Sequence, residues 1–196
     1  MIGKAVVVRS LRVMAVVLLL VGIIFISWYL GAGIAASHEQ ASLSRELDAI
    51  AGTAATAAPR HRPALPLRGL VGRIEVPRLK LSAIAREGAD VRTLRRAIGH
   101  IPGTAFPGDA GNAAFAAHRD TFFRPLQSIR KGDEVVVTTT SGVYRYSVTG
   151  TQVVEPEDVS VLDPTPGTTL TLVTCYPFDF VGSAPQRFIV SASLLK

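Results

Sequence analysis

Three side chains in this 196-residue sequence have the chemistry of a nucleophile, a proton carrier and an oxyanion donor: Cys175, His118 and Arg187. Cys175 is the only cysteine, so the chain has no intramolecular disulfide and no zinc site built on two or four thiolates. A lone thiol is either a small core hydrophobe, an intermolecular partner or a reactive group. Its surroundings favour the last. The apolar run 170–174 leads into Cys175, and Tyr176-Pro177 follows. Proline cannot donate to a ladder, so the strand is expected to stop there and leave the thiol at an accessible end.

A thiol with an ordinary pKa of about 8.5 is only slightly ionised at neutral pH and needs a base beside it. Among the four histidines, His118 is the best placed. It ends the small apolar run 113–117, and Arg119-Asp120 follows, so it too sits where a strand becomes a loop. His100, between Gly99 and Ile101-Pro102-Gly103, is the second choice; a turn or packing role suits it as well. Arg187 opens the final apolar stretch Gln186-Arg187-Phe188-Ile189-Val190. A guanidinium entering such a strand is costly to bury unpaired, and its planar fork suits a carboxylate or a developing oxyanion. A solvated arginine at a sheet edge is the plainer alternative.

The elements that must position these residues are short strands. From Leu70 onward, apolar runs are broken by Gly and Pro. Strands are expected over 72–76, 112–117, 134–140, 143–149, 170–174 and 186–192, with Ser141-Gly142 as a hairpin turn. In 143–149, Tyr144, Tyr146 and Val148 alternate with polar residues, the period of a half-buried strand. The one helical candidate lies near 90–98, with Val91, Leu94 and Ile98 on one face and Asp90 as its cap. Short strands with little helix point to an antiparallel sandwich or a closed barrel.

Ahead of this domain the composition changes. Residues 13–36 carry no charge and are dense in Val, Leu and Ile, long enough for a membrane-spanning helix. Lys4, Arg9 and Arg12 precede them, so residues 1–12 are expected in the cytoplasm and everything after 36 outside it. The small residues of 31–37 also suit a cleaved signal peptide, although the apolar run is longer than a signal usually needs. Residues 37–69 read as a juxtamembrane stub, with Leu43, Leu47 and Ile50 at helical spacing, followed by an Ala/Thr/Pro-rich tether. The net charge of +6 is concentrated at this end: 7 basic and 3 acidic groups precede residue 70, against 14 and 12 after it. With no aromatic–basic stripe, nucleic acid is not the expected partner.

Thr171-Leu172-Val173-Thr174-Cys175 matches the TLxTC signature of the sortases, with a histidine upstream and an arginine downstream. The wider sequence resembles class D sortases through His100-Ile101-Pro102-Gly103-Thr104, His118-Arg119-Asp120-Thr121-Phe122, Cys175-Tyr176-Pro177-Phe178 and Ser183-Ala184-Pro185-Gln186-Arg187-Phe188. Ala117 departs from the glycine that many members carry before the histidine. The resemblance covers 72–196 and implies a mainly β fold: a closed eight-stranded sortase barrel at 70–196 with one or two short helices, behind an N-terminal transmembrane helix. It implies a transpeptidase on the outer face of the cytoplasmic membrane. Its partners would be exported proteins bearing a C-terminal LPxT-like sorting signal and an amine acceptor on the cell envelope or a pilin. By the same resemblance Cys175 forms a thioacyl-enzyme, His118 moves protons and Arg187 holds substrate or oxyanion, with no cofactor and no metal. Glu155, Glu157, Asp158 and Asp163 fall in the loop where some sortases bind calcium, although acidic loop residues are usually only solvated. A hydrolase using water as acceptor, and a catalytically silent tethered β domain, are the other readings.

Overall fold

Period-two alternation from Leu70 onward becomes eight strands: β1 (Leu70–Val76), β2 (Leu81–Glu87), β3 (Ile98–His100), β4 (Gly111–Ala116), β5 (Glu134–Thr139), β6 (Val143–Val154), β7 (Thr168–Tyr176) and β8 (Gln186–Leu194). The computed structural model describes residues 14–26, 40–45, 47–49 and 69–195. These fall into two units divided between Glu39 and Gln40. In the first unit, residues 14–26 are helical. No helix among the described residues is long and apolar enough to cross a membrane. The rest of the expected anchor, residue 13 and residues 27–36, lies outside the described residues, as do 50–68 of the tether.

In the second unit the strands close into a barrel in the order β1-β2-β3-β4-β7-β8-β6-β5. Neighbours are antiparallel except for β2/β3 and β4/β7, which are parallel. Alternate residues face the interior, as the pleat requires. On β4 these are Ala113 and Phe115, on β7 Leu170 and Leu172, and on β8 Val190 and Ala192, all packed into one core with Ile74, Val137, Tyr146 and Phe123. Tyr146 is fully buried, and its hydroxyl accepts the Gly108 N–H at 3.0 Å. Gly108 itself has φ +91°, and a Cβ there would lie 2.1 Å from the Tyr144 ring, so the 107–109 turn requires glycine.

All six expected strands are present, as β1 and β4 to β8, and β5 and β6 form the expected hairpin. Its turn is closed by the Thr139 hydroxyl, which accepts from the N–H groups of Ser141 and Gly142. The expectation of a helix over 90–98 holds only in part. Asp90 caps it by accepting from Arg92 N and Thr93 N, but the helix is a single turn, Val91–Leu94. Ile98 belongs to β3 and is buried, whereas Val91 is 65% exposed. The three apolar residues therefore do not share a buried face: pairing with β2 outcompetes the helix. β2 and β3 themselves had no expected counterpart.

Residues 40–49, helical at every described position, pack onto the outside of the barrel. Leu47 is fully buried against Leu70 and Ile84, with Leu43 beside them. Arg73 donates to Asp48 at 2.8 Å and to the Ser44 hydroxyl. Gln40 accepts the Ile84 N–H at 2.8 Å and donates to the Arg96 carbonyl.

Candidate active site

The sequence of β7 alternates Thr, Leu, Thr, Leu, Val, Thr, Cys, so the parity that buries Leu170 and Leu172 turns Thr171, Val173 and Cys175 to the outer face. Pro177 ends the strand, leaving Cys175 one residue from its end and half-buried. Across the β7/β8 ladder Cys175 is the register partner of Arg187, a spacing of about 5 Å between Cα atoms. On the other flank, β4 runs parallel to β7 with Ala116 opposite Val173. The pairing continues beyond the strand end. Ala117 donates its N–H to the Val173 carbonyl at 3.2 Å, and the buried Thr174 hydroxyl donates to the Ala117 carbonyl at 2.8 Å. Extending that register brings His118 level with Cys175. Cys175 and Arg187 thus pair across β7 and β8, and with His118, in the loop two residues past the end of β4, this extended register defines a row of three candidates.

Arg187 makes two protein hydrogen bonds, both through Nη1, to the carbonyls of Gln186 at 3.0 Å and Ala184 at 3.3 Å. No carboxylate pairs with it among the described residues, so Nε and Nη2 remain available to an anion or a carbonyl. Asp120 is exposed and makes no ion pair with His118 among the described residues.

Loops flank the row. The 155–167 loop is pinned to the outer face by Asn112, whose Nδ2 donates to the carbonyls of Val161 at 3.0 Å and Asp163 at 3.4 Å while its Oδ1 accepts from Thr171 at 2.8 Å. This covers Ala114 and Thr171. Between the pinned loop and the row, Ala116 and Val173 stay half-exposed and leave a strip of small apolar floor leading to the thiol. Glu155 in this loop accepts from Gln186 at 2.9 Å, and Asp158 accepts from Ser160. Among the described residues no three His, Cys, Asp or Glu side chains gather as a metal site. On the other side, the 177–185 loop is held by Arg119, which the sequence reading left without a role. Its signal was absent from the sequence because its partners are backbone carbonyls.

His100 lies away from the row. It is 1% exposed, stacked on Phe106, with Nδ1 2.8 Å from Glu87 Oε2 and Nε2 2.9 Å from the Ala105 carbonyl. This is a packing post between β2, β3 and the 101–106 loop.

Residues 74–195 match the family model of the sortase domain. The chain belongs to the sortase family. It is 32% identical over 120 residues to sortase D of Bacillus subtilis, a match covering 61% of each chain. With sortase A of Streptococcus agalactiae it shares 33% over 136 residues, covering 65% of this chain and 53% of that one. It thus spans less than two thirds of these relatives' own length. Among solved structures, the Sortase D5 transpeptidase of Clostridium perfringens superposes with a TM-score of 0.60 at 30% identity, covering 65% of this chain and 79% of the other. Sortase A of Listeria monocytogenes gives 0.60 at 28%, covering 65% and 88%. In this sortase, as in its sequence reading, the barrel is mainly β, closed and eight-stranded.

Proposed function

We propose that this protein is a membrane-anchored cysteine transpeptidase acting on exported proteins with an LPxT-like C-terminal signal. The reading is supported by the pairing of Cys175 with Arg187 across β7 and β8, with His118 just beyond the end of β4, in a chain of the sortase family. The apolar run 13–36 with its preceding basic residues supports an anchor that puts the barrel outside the cytoplasmic membrane.

The chemistry follows from the row. The Cys175 thiolate attacks the Thr carbonyl of the signal, forming a C–S bond and a tetrahedral oxyanion that the free Arg187 donors stabilise. Collapse breaks the Thr–Gly bond as the His118 imidazolium gives its proton to the leaving amine, and a thioester remains on Sγ. His118, now neutral, takes a proton from an incoming amine. That amine attacks the thioester, forms the new amide and returns the thiolate. With water in place of the amine the same steps release a free acid.

The test is incubation of the full-length protein with LPxTG- and LPxTA-like peptides, with and without an amine nucleophile, read by intact mass. A thioester on Cys175 that the amine discharges, absent in Cys175→Ala, is expected. An adduct discharged only by water makes it a hydrolase. No adduct with any peptide, and a thiol that alkylates no faster than a free cysteine, refutes the catalytic reading in favour of a silent binding domain.

A further inference from the structure

We propose that Arg119 is a positioning residue: it locks the 177–185 loop against the segment carrying His118 and so fixes the imidazole relative to the thiol. The proposal rests on the catalytic reading of the row. Arg119 Nη1 donates to the Pro177 carbonyl at 3.0 Å, and Nη2 donates to the carbonyls of Phe180 at 2.6 Å and Gly182 at 3.0 Å. Its guanidinium carbon lies 5.9 Å from the centroid of the Phe180 ring. A planar fork is suited to gathering several acceptors at once, which an ammonium on a flexible stem is not.

The loop has little else to hold its crest. Phe178 anchors its base in the core. Beyond that, Phe180 is 45% and Val181 94% exposed. The one backbone bond within the loop among the described residues runs from Phe180 N–H to the Pro177 carbonyl at 3.4 Å. A second tie, Arg124 to Asp179 at 2.9 Å, joins two exposed side chains, a pairing of little energetic weight in water.

Connectivity turns a loop clamp into a catalytic constraint. Arg119 is bonded to His118, and Pro177 is two residues beyond Cys175. The clamp therefore closes a ring: from His118 through Arg119 to Pro177, back along β7 through Cys175 to Thr174, and through the Thr174 hydroxyl to the Ala117 carbonyl beside His118. Thr174, donating to the Ala117 carbonyl, holds the near side of the histidine; Arg119 holds the far side. The same clamp divides labour between the two arginines. Arg187 reaches the loop only at the Ala184 carbonyl, through Nη1, whereas Arg119 takes the carbonyls of Pro177, Phe180 and Gly182.

The experiment compares full-length wild type with Arg119→Gln, Arg119→Lys and Arg124→Gln. Hydrogen exchange reads the loop, and peptide thioacylation reads kcat and KM separately. In Arg119→Gln the Phe180 amide, the loop N–H that donates to a backbone carbonyl, should exchange at least tenfold faster while β7 and β8 stay protected. In that variant kcat should fall about tenfold to a hundredfold, the cost of displacing a catalytic group by up to an ångström, with KM changed much less. Arg119→Lys should recover part of kcat, and Arg124→Gln should stay within twofold of wild type. Unchanged loop exchange, a kcat within twofold of wild type, or a kcat loss matched by unfolding of the barrel each overturns the proposal. If wild type forms no thioester, the parent reading fails, and loop exchange still decides whether Arg119 holds the loop.

Discussion

The hydroxyl of Thr174 is asked to do the work of a missing rung. The β4/β7 ladder ends with the Ala117 N–H on the Val173 carbonyl, and the Ala117 carbonyl, one residue before His118, takes its bond from Thr174 Oγ1 at 2.8 Å. Both residues are nearly inaccessible, 2% and 5% exposed. Thr174→Val keeps the side-chain shape and removes the donor, leaving a buried carbonyl unpaired at a cost of about 1–3 kcal/mol. For a domain of this size that lowers Tm by roughly 3–12 °C. The carbonyl can recover a partner only by shifting toward water, and His118 shifts with it, so kcat for thioacylation should fall about tenfold. Thr174→Ser is the decisive companion. It keeps the donor and loses one buried methyl, costing about 1 kcal/mol, so it should lower Tm comparably while retaining nearly the wild-type rate. Thermal unfolding and single-turnover thioacylation on the same preparations measure both effects. If Val and Ser impair the rate equally, or Val leaves it intact, the hydrogen bond does not position the histidine.

Two further outcomes test the scaffold. Asp133 accepts from Arg78 Nε and Nη2 at 2.5 Å each and from the Arg130 N–H at 2.7 Å, and the Arg78 guanidinium, followed by that backbone N–H, holds its carboxyl below the usual carboxylate range. A depressed folded pKa gives stability that is present above the unfolded value of about 3.9 and is lost as pH falls through the folded one. The Tm difference between wild type and Asp133→Asn should therefore be full at neutral pH and shrink below about pH 4; a difference constant down to pH 3 contradicts the pairing. Leu47→Ala, which empties the contact of helix 40–49 with Leu70 and Ile84, should cost about 2–3 kcal/mol, and an unchanged urea midpoint would show that the helix contributes nothing to the barrel.

The places of Cys175 and Arg187 at the ends of β7 and β8, and of His118 just past β4, were legible because strand ends are marked by local chemistry: proline after Cys175, small residues before His118, a polar entry to β8 at Arg187. β7 was equally plain, since Leu170 and Leu172 alternate with threonines. β2 and β3 were not. β3 has three residues and pairs in parallel with β2, so its partner is reached through an intervening helical turn rather than a tight turn. Val91, Leu94 and Ile98 satisfied a helical period by coincidence, and only tertiary pairing revealed that Ile98 serves a strand. The spacing of Leu43 and Leu47 announced a helix but could not name Leu70 and Ile84 as the surface that receives it. Arg119 was invisible for a different reason: backbone carbonyls are present in every residue, so a side chain that binds them leaves no complementary letter elsewhere.

β2 and β3 run side by side for only three residues, so the first half of β2 meets no strand on that flank. Ile84 sends its N–H away from β1 into this gap, where Gln40 receives it. An unpaired strand flank is a template for any extended chain. The segment that begins at Gln40 thus covers part of that flank. Cut away, it would leave the Ile84 N–H bare and the flank open to pairing with another copy of the chain.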